Sequence, residues 1–491
     1  MYTKHKITTL FLALMLAVSA LGSCSAENTE ESPATDTTTT TAEESMEAEI
    51  SDHLPEVQYD GYEFRMFLRE GSNGSRGASM YAEEMTGDLL NDIVYNRNLA
   101  VEERFNILFR YIYSEDNGFG ADCVPALIAG DDAYDLLAPH GRNAFEIALQ
   151  GLAYEWSNLP YVDLSREWWD ANINDSFTIH GKLYTTTGDI CYNSLGSAAC
   201  LFFNKTLFDD YGLEYPYQSV IEGTWTWDKW EAIIEETTVD LNGDGVMNWE
   251  NDRLGYATSV WGGPINMQFA AGLSIITVTD GVPEISFMNE RTVDVFQRYF
   301  KQLEKGVNID ISQDEAFMKG NVVFLDTRIN KAISFREMED DFGIIPFPKY
   351  SEEMAYRTSV DGAVNLFLVP ITVSDPERNS IIIEGMASES YRTTMPQYYE
   401  VVLKSKHVRD QESAQVIDII RNNRVFDFGY YNNSIGLASI PVELYQKYGN
   451  ADNVTSYYES LKNKADAQLD ELMEKFDKIS ELQTEVLSQN G

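Results

Sequence analysis

The sequence predicts an α/β protein with mainly parallel sheet, and three observations lead there. Short apolar runs rich in β-formers alternate with stretches of helical periodicity, the pattern of β–α–β units. The chain has 491 residues, 44% of them hydrophobic and 12% aromatic, enough to bury more than one core. No self-similarity with a period of roughly 20–50 residues is present, which removes solenoids and propellers.

The elements follow in chain order. Residues 1–23 have Lys4 and Lys6, an apolar stretch from Ile7 to Leu21 and small residues before Cys24. This is the layout of an export signal, too short for a membrane-spanning helix. Residues 24–57 contain five consecutive threonines, Thr37–Thr41, and no Lys or Arg from Ser25 to Glu56. Such a segment buries too little surface to offset its ordering entropy and reads as a flexible tether. The folded body then begins. Strand-like runs are expected at Tyr62–Leu68, Ile107–Tyr113, Tyr134–Pro139, Asp341–Pro348 and Val364–Pro370, and the stretch Ala198–Glu214 starts another strand and a helix. Further helices are expected at residues 82–104 and near Val124–Ile128. Thr226 or Thr224 offers an N-cap ahead of Asp228, and Gly212 suits a C-cap. The last 40 residues or so place Leu461, Ala465, Leu469, Leu472, Phe476, Ile479 and Leu482 at helical steps.

Composition limits function. A formal net charge of −43 argues against nucleic acid and against adsorption to anionic lipid. Four cysteines occur, at 24, 123, 191 and 200; Cys191 and Cys200 could bridge across a turn or remain buried thiols. The five histidines form no zinc-type spacing, and no G-x-x-x-x-G-K-[ST] element is present.

Several stretches together resemble the extracellular solute-binding proteins of bacterial carbohydrate ABC importers, the maltodextrin-binding-like family. They are HGKLYTTTGDI (180–190), LFFNKTLFDDYGLEYP (201–216), GTWTWDKWEAI (223–233), FMKGNVVFLDT (317–327) and DFGIIPFPK (341–349). The first departs from the family pattern, with a threonine where proline is usual. Leu21-Gly22-Ser23-Cys24 looks like a lipobox, which implies cleavage before Cys24, its lipidation and anchoring on the outer face of the cytoplasmic membrane. The resemblance implies a two-lobed, type II periplasmic-binding-protein-like fold with crossover strands and a ligand cleft. Lobe one is expected at 58–190 plus 325–362, lobe two at 191–324 plus 363–491. It further implies a monomer that captures a carbohydrate, an oligosaccharide, and delivers it to permease subunits without catalysis or a required cofactor. The alternatives are a surface glycoside hydrolase and a binder of peptides or another solute.

A sugar offers an apolar ring face edged by hydroxyls, so its site needs flat aromatics with carboxylates, amides and Arg around them. Trp261, in the glycine-flanked SVWGGPIN, is the leading stacking candidate. Asp189 is expected at the first crossover, Asp326 and Arg328 at the second and Asp361 at the third, with an Asp–Arg salt bridge between lobes as the structural alternative. Tyr430 in DFGYYNN, Trp169 in EWWD and Arg142 complete the candidates, with packing or helix surface as their plainer roles. A separate element, DLNGDGVMNWEND, places Asp240, Asn242 and Asp244 at positions 1, 3 and 5 of a calcium loop, with Val246 at 7 through its carbonyl and Asn248 at 9. Position 12 is Asn251, so Asp252 would need one residue of slack; a plain Asx turn is the other reading.

Overall fold

The computed structural model describes residues 51–69, 76–115, 119–303, 308–309, 313–403, 411–432 and 435–489. Cys24, the signal and most of the tether lie outside the described residues.

The first sheet has order β2-β1-β3, with β1 at Tyr62–Arg69, β2 at Ile107–Ser114 and β3 at Leu136–Ala138. Both pairings are parallel, with Phe64 beside Phe109 and Met66 beside Leu136. Helix α1, Leu89–Phe105, makes the β1–β2 crossover. Asp88 caps it, accepting from the Asn91 amide, and Ile93, Val94, Val101 and Phe105 are buried. An extended segment at 365–370 bridges antiparallel to β3 of this sheet, Leu137 to Leu368, and also to Thr186 through Phe367.

The second sheet has order β10-β4-β9-β5-β8: β4 is Ala199–Asn204, β5 Leu254–Thr258, β8 Asn308–Ile309, β9 Val322–Arg328 and β10 Phe342–Ile345. β5 is parallel to β8 and β9, but β4 is antiparallel to both β9 and β10. The mainly parallel expectation therefore holds for the first sheet and half of the second. The reason is connectivity. β4 is entered from the other sheet, so no helix crossover within one sheet forces it parallel to its neighbours.

The same pairing reverses two expected segment assignments. Residues 329–359 stay with the second sheet: Gly343 pairs with Phe203, Phe335 packs edge-on to Phe202, and the Trp227 amide donates to the Lys349 carbonyl. Residues 364–389 pack on the first sheet through the bridges above and through Phe105, against which the backbone at Gly385 is closely apposed. The chain crosses back at 360–364, where the Asp361 amide donates to the Ser197 carbonyl at 3.0 Å and Ala198 bridges Val360. Both halves of the chain are apolar and strand-rich, so only long-range pairing separates them.

A tight hairpin, β6 Ile276–Thr279 and β7 Val282–Ile285, turns on Asp280-Gly281, both at positive φ, as a two-residue turn requires. The C-terminal helix, Val454–Gln489, runs unbroken for 36 residues, burying Ala465, Leu472, Phe476 and Ile479. Cys123, Cys191 and Cys200 are buried free thiols, so no 191–200 bridge forms.

Candidate functional site

A cavity of ≈ 460 Å³ opens where β9, the loop after β5, the 359–363 crossover and the start of helix Gly141–Leu149 meet. Of the sequence candidates, Trp261, Asp326, Arg328, Asp361, Tyr430 and Arg142 all line it. They come from five separate places in the chain.

Trp261 is 64% exposed, in a glycine-rich turn ahead of helix Gly263–Ala270. The glycines are needed there: a Cβ on Gly263 would fall 2.3 Å from both the Thr258 and Tyr299 oxygens. The turn therefore sits against the end of β5 with the indole outward.

Asp326 lies on β9 and is 2% exposed. Its Oδ2 accepts from Thr258 Oγ1 at 2.8 Å and Tyr256 Oη at 3.2 Å, and its Oδ1 accepts from Asn266 Nδ2 at 2.8 Å. Asn266 Oδ1 in turn accepts from Ser359 Oγ at 2.5 Å. Burial raises the Asp326 carboxyl to about 7, against the pull of these donors. The network holds the Asn266 amide in one orientation at the cavity wall. Asn266, Thr258 and Ser359 were not among the sequence candidates, although Asn266 stands in the same SVWGGPIN stretch as Trp261.

Arg328 Nη1 faces Asp361 Oδ2 at 3.5 Å, and Lys331 Nζ holds Asp314 Oδ2 at 2.5 Å. Asp326 and Arg328, expected at the second crossover, lie instead on β9 inside the second sheet. Asp361 is on a crossover. Tyr430 is capped into place by Asp427, which accepts its amide; its hydroxyl accepts from the Gly362 amide at 3.3 Å. Burial and Asp361 push the Tyr430 phenol up to about 12, with Arg142 opposing. The Arg142 guanidinium lies over the Tyr430 ring, 5.1 Å from its centroid.

Two candidates lie elsewhere. Asp189 is buried, and Arg421 Nη2 donates to its two oxygens at 2.8 and 3.1 Å. Burial holds this carboxyl up, at about 6, while Arg421 and Arg424 pull it down. Trp169 is also buried; it and Trp168 donate from Nε1 to the two oxygens of Glu384, at 2.9 and 2.8 Å. Both border a second, smaller groove with Asp170, Tyr391, Arg421 and Arg424. In residue type they match the cavity residues; their polar groups meet distant partners instead.

In the 240–252 loop the oxygens face backbone amides. Asp240 accepts from Gly243 at 2.6 Å and Gly245 at 2.8 Å, Asp244 from Val246 at 2.8 Å, and Asp252 from Leu241 at 3.0 Å and Asn248 at 2.7 Å. Asn242 and Asp244 also bond each other, and Asn248 accepts from the Glu250 amide. Among the described residues no three His, Cys, Asp or Glu side chains converge as a metal-holding group.

With this geometry in view, the comparisons decide the fold. An ABC substrate-binding protein from Listeria monocytogenes, solved in complex with cycloalternan, superposes with a TM-score of 0.52 at 15% identity, over 83% of this chain and 98% of its own. UgpB from Mycobacterium tuberculosis, in complex with glycerophosphocholine, gives 0.56 at 15% over 84% and 100%. This is the type II periplasmic-binding-protein fold. A cyclo/maltodextrin-binding protein complexed with maltotetraose gives 0.55 at 13% over 84% and 98%. No protein-family model matches the chain, and no curated protein matches it in sequence. The cavity's lining joins the helix that follows β3 to the paired ends of β4 and β9 in the second sheet.

Proposed function

We propose that this chain is the solute-binding component of an ABC importer, capturing a carbohydrate, an oligosaccharide, in the cleft and handing it to membrane permease subunits without catalysis. The observation that carries this reading is Trp261: a large apolar face held open to solvent beside a wall of hydrogen-bonding side chains. Trp261 would stack on a sugar ring, with Asp326, Arg328, Asp361 and Tyr430 around it. The neighbours' ligands, cycloalternan and maltotetraose, support the substrate class. Asp189 and Trp169 are left out of this set because their polar groups are taken by Arg421 and Glu384.

The described residues include no helix long and apolar enough to cross a membrane. In this reading export and diacylation of Cys24 place the protein on the outer face of the cytoplasmic membrane as a monomer, with residues 24–57 as tether. The 240–252 loop carries a structural calcium ion through Asp240, Asn242, Asp244, the Val246 carbonyl, Asn248 and Asp252. The spacing of these oxygens around Gly243 and Gly245, both at positive φ, supports that part.

Calorimetry against a panel of neutral and acidic oligosaccharides and peptides tests the reading. Saturable binding of one glycan class with no product formed is the expected result. Binding of peptides alone would overturn the substrate class, and product release would favour a hydrolase.

A further inference from the structure

The charges lining the cavity do not cancel pair by pair. Of its acids, Asp314 is taken by Lys331, Asp361 faces Arg328, and Asp326 is held by three neutral donors. Arg142 is left over: among the described residues it makes no ion pair, and its buried Nε has no hydrogen-bond partner. It also stands in the first turn of helix Gly141–Leu149, where the helix dipole disfavours a cation, so helix stability does not account for it. The Tyr430 ring supports the guanidinium from one side. The crossover backbone at Gly362 lies beside the guanidinium, a Cβ there falling 3.4 Å from the Arg142 Nε in ordinary contact.

Resting on the carbohydrate reading above, we infer that the sugar held here carries an oxyanion, received by Arg142 while Trp261 stacks on the ring. A guanidinium presents a planar fork of donors that matches a carboxylate or a phosphate. At a net charge of −43 the chain as a whole repels anions, so selection for an acidic sugar has to come from a local cation such as this one. A uronic acid and a sugar phosphate share the required chemistry.

The test is calorimetric titration of the full chain in detergent with matched probes: trigalacturonate and its methyl ester, and glucose 6-phosphate with glucose. The expected result is that one acidic probe binds roughly tenfold or more tighter than its neutral match. Arg142→Gln should collapse that ratio towards one, and Arg142→Lys, which keeps the charge but loses the fork, should leave it intermediate. Which pair shows the preference identifies carboxylate or phosphate. Equal affinity within both pairs, or a preference that survives Arg142→Gln in a variant with wild-type melting, overturns the inference and leaves the carbohydrate reading standing. Failure of every sugar, neutral and acidic, overturns both.

Discussion

Asp326→Asn keeps the shape of the side chain and removes a charge that the fold disfavours. Burial lifts the Asp326 carboxyl from 3.8 to about 7, with no cation placed to offset it. The folded state binds the proton more tightly than the unfolded state, so the stability associated with it is fully present below pH 3.8. It is lost as pH rises through about 7 and stays lost above. Holding the carboxyl ionised against a rise from 3.8 to about 7 costs about 4 kcal/mol at pH 8. Asparagine avoids that cost, but with its oxygen accepting from Thr258 and Tyr256 its NH2 faces the Asn266 Nδ2 donor, a loss of about 1 kcal/mol. The variant should therefore be more stable than wild type by about 2–3 kcal/mol at pH 8, and no more stable at pH 4. For a lobe-sized unit this is roughly 5–10 °C in melting temperature. Trp230, edge-on to Tyr256 with centroids 5.0 Å apart, makes tryptophan fluorescence a local reporter. Melting curves at pH 4, 5, 6, 7 and 8 check the expectation. A wild-type-minus-variant difference that is constant with pH would refute the reasoning, as would a variant less stable at pH 8.

Trp261→Ala should weaken binding of the identified sugar by about 1–2 kcal/mol while leaving the melting temperature unchanged, because the exposed indole contributes little to the core; calorimetry beside a thermal scan separates the two. Arg421→Ala leaves Asp189 buried without its main partner and should cost about 3 kcal/mol, most of it recovered in the Asp189→Asn/Arg421→Met double variant; denaturant midpoints give the comparison. Calcium should raise the melting temperature of the wild type and not of Asp240→Ala, and equal melting of both proteins with and without the ion would remove the metal from the loop.

Local elements were legible because local rules create them. The apolar alternation of YEFRMFL and ILFRYIY, the Asn204 cap ahead of the helix Lys205–Tyr211 and Gly212 at positive φ after it all act within a few residues. The Asp280-Gly281 hairpin is equally local, and Asp-Gly between short β-rich runs is its direct signal, absent from the elements expected above. The 36-residue terminal helix announced itself through its apolar spacing.

The site was legible as a set of residue types rather than as a place. Trp261, Asp326, Asp361 and Tyr430 carry suitable chemistry wherever they fall, and so do Asp189 and Trp169. What separates them is a partner more than 200 residues away in the chain: Arg421 for one, Glu384 for the other. Likewise, β4 became antiparallel and residues 329–359 joined the second sheet because chain crossings, not propensities, decide which strands become neighbours. By itself the sequence determined the class of fold, the helices and strands and the chemistry available for binding. Tertiary structure alone decided which charges cancel and which remain to meet a ligand, because pairing between distant side chains depends on where the strands bring them.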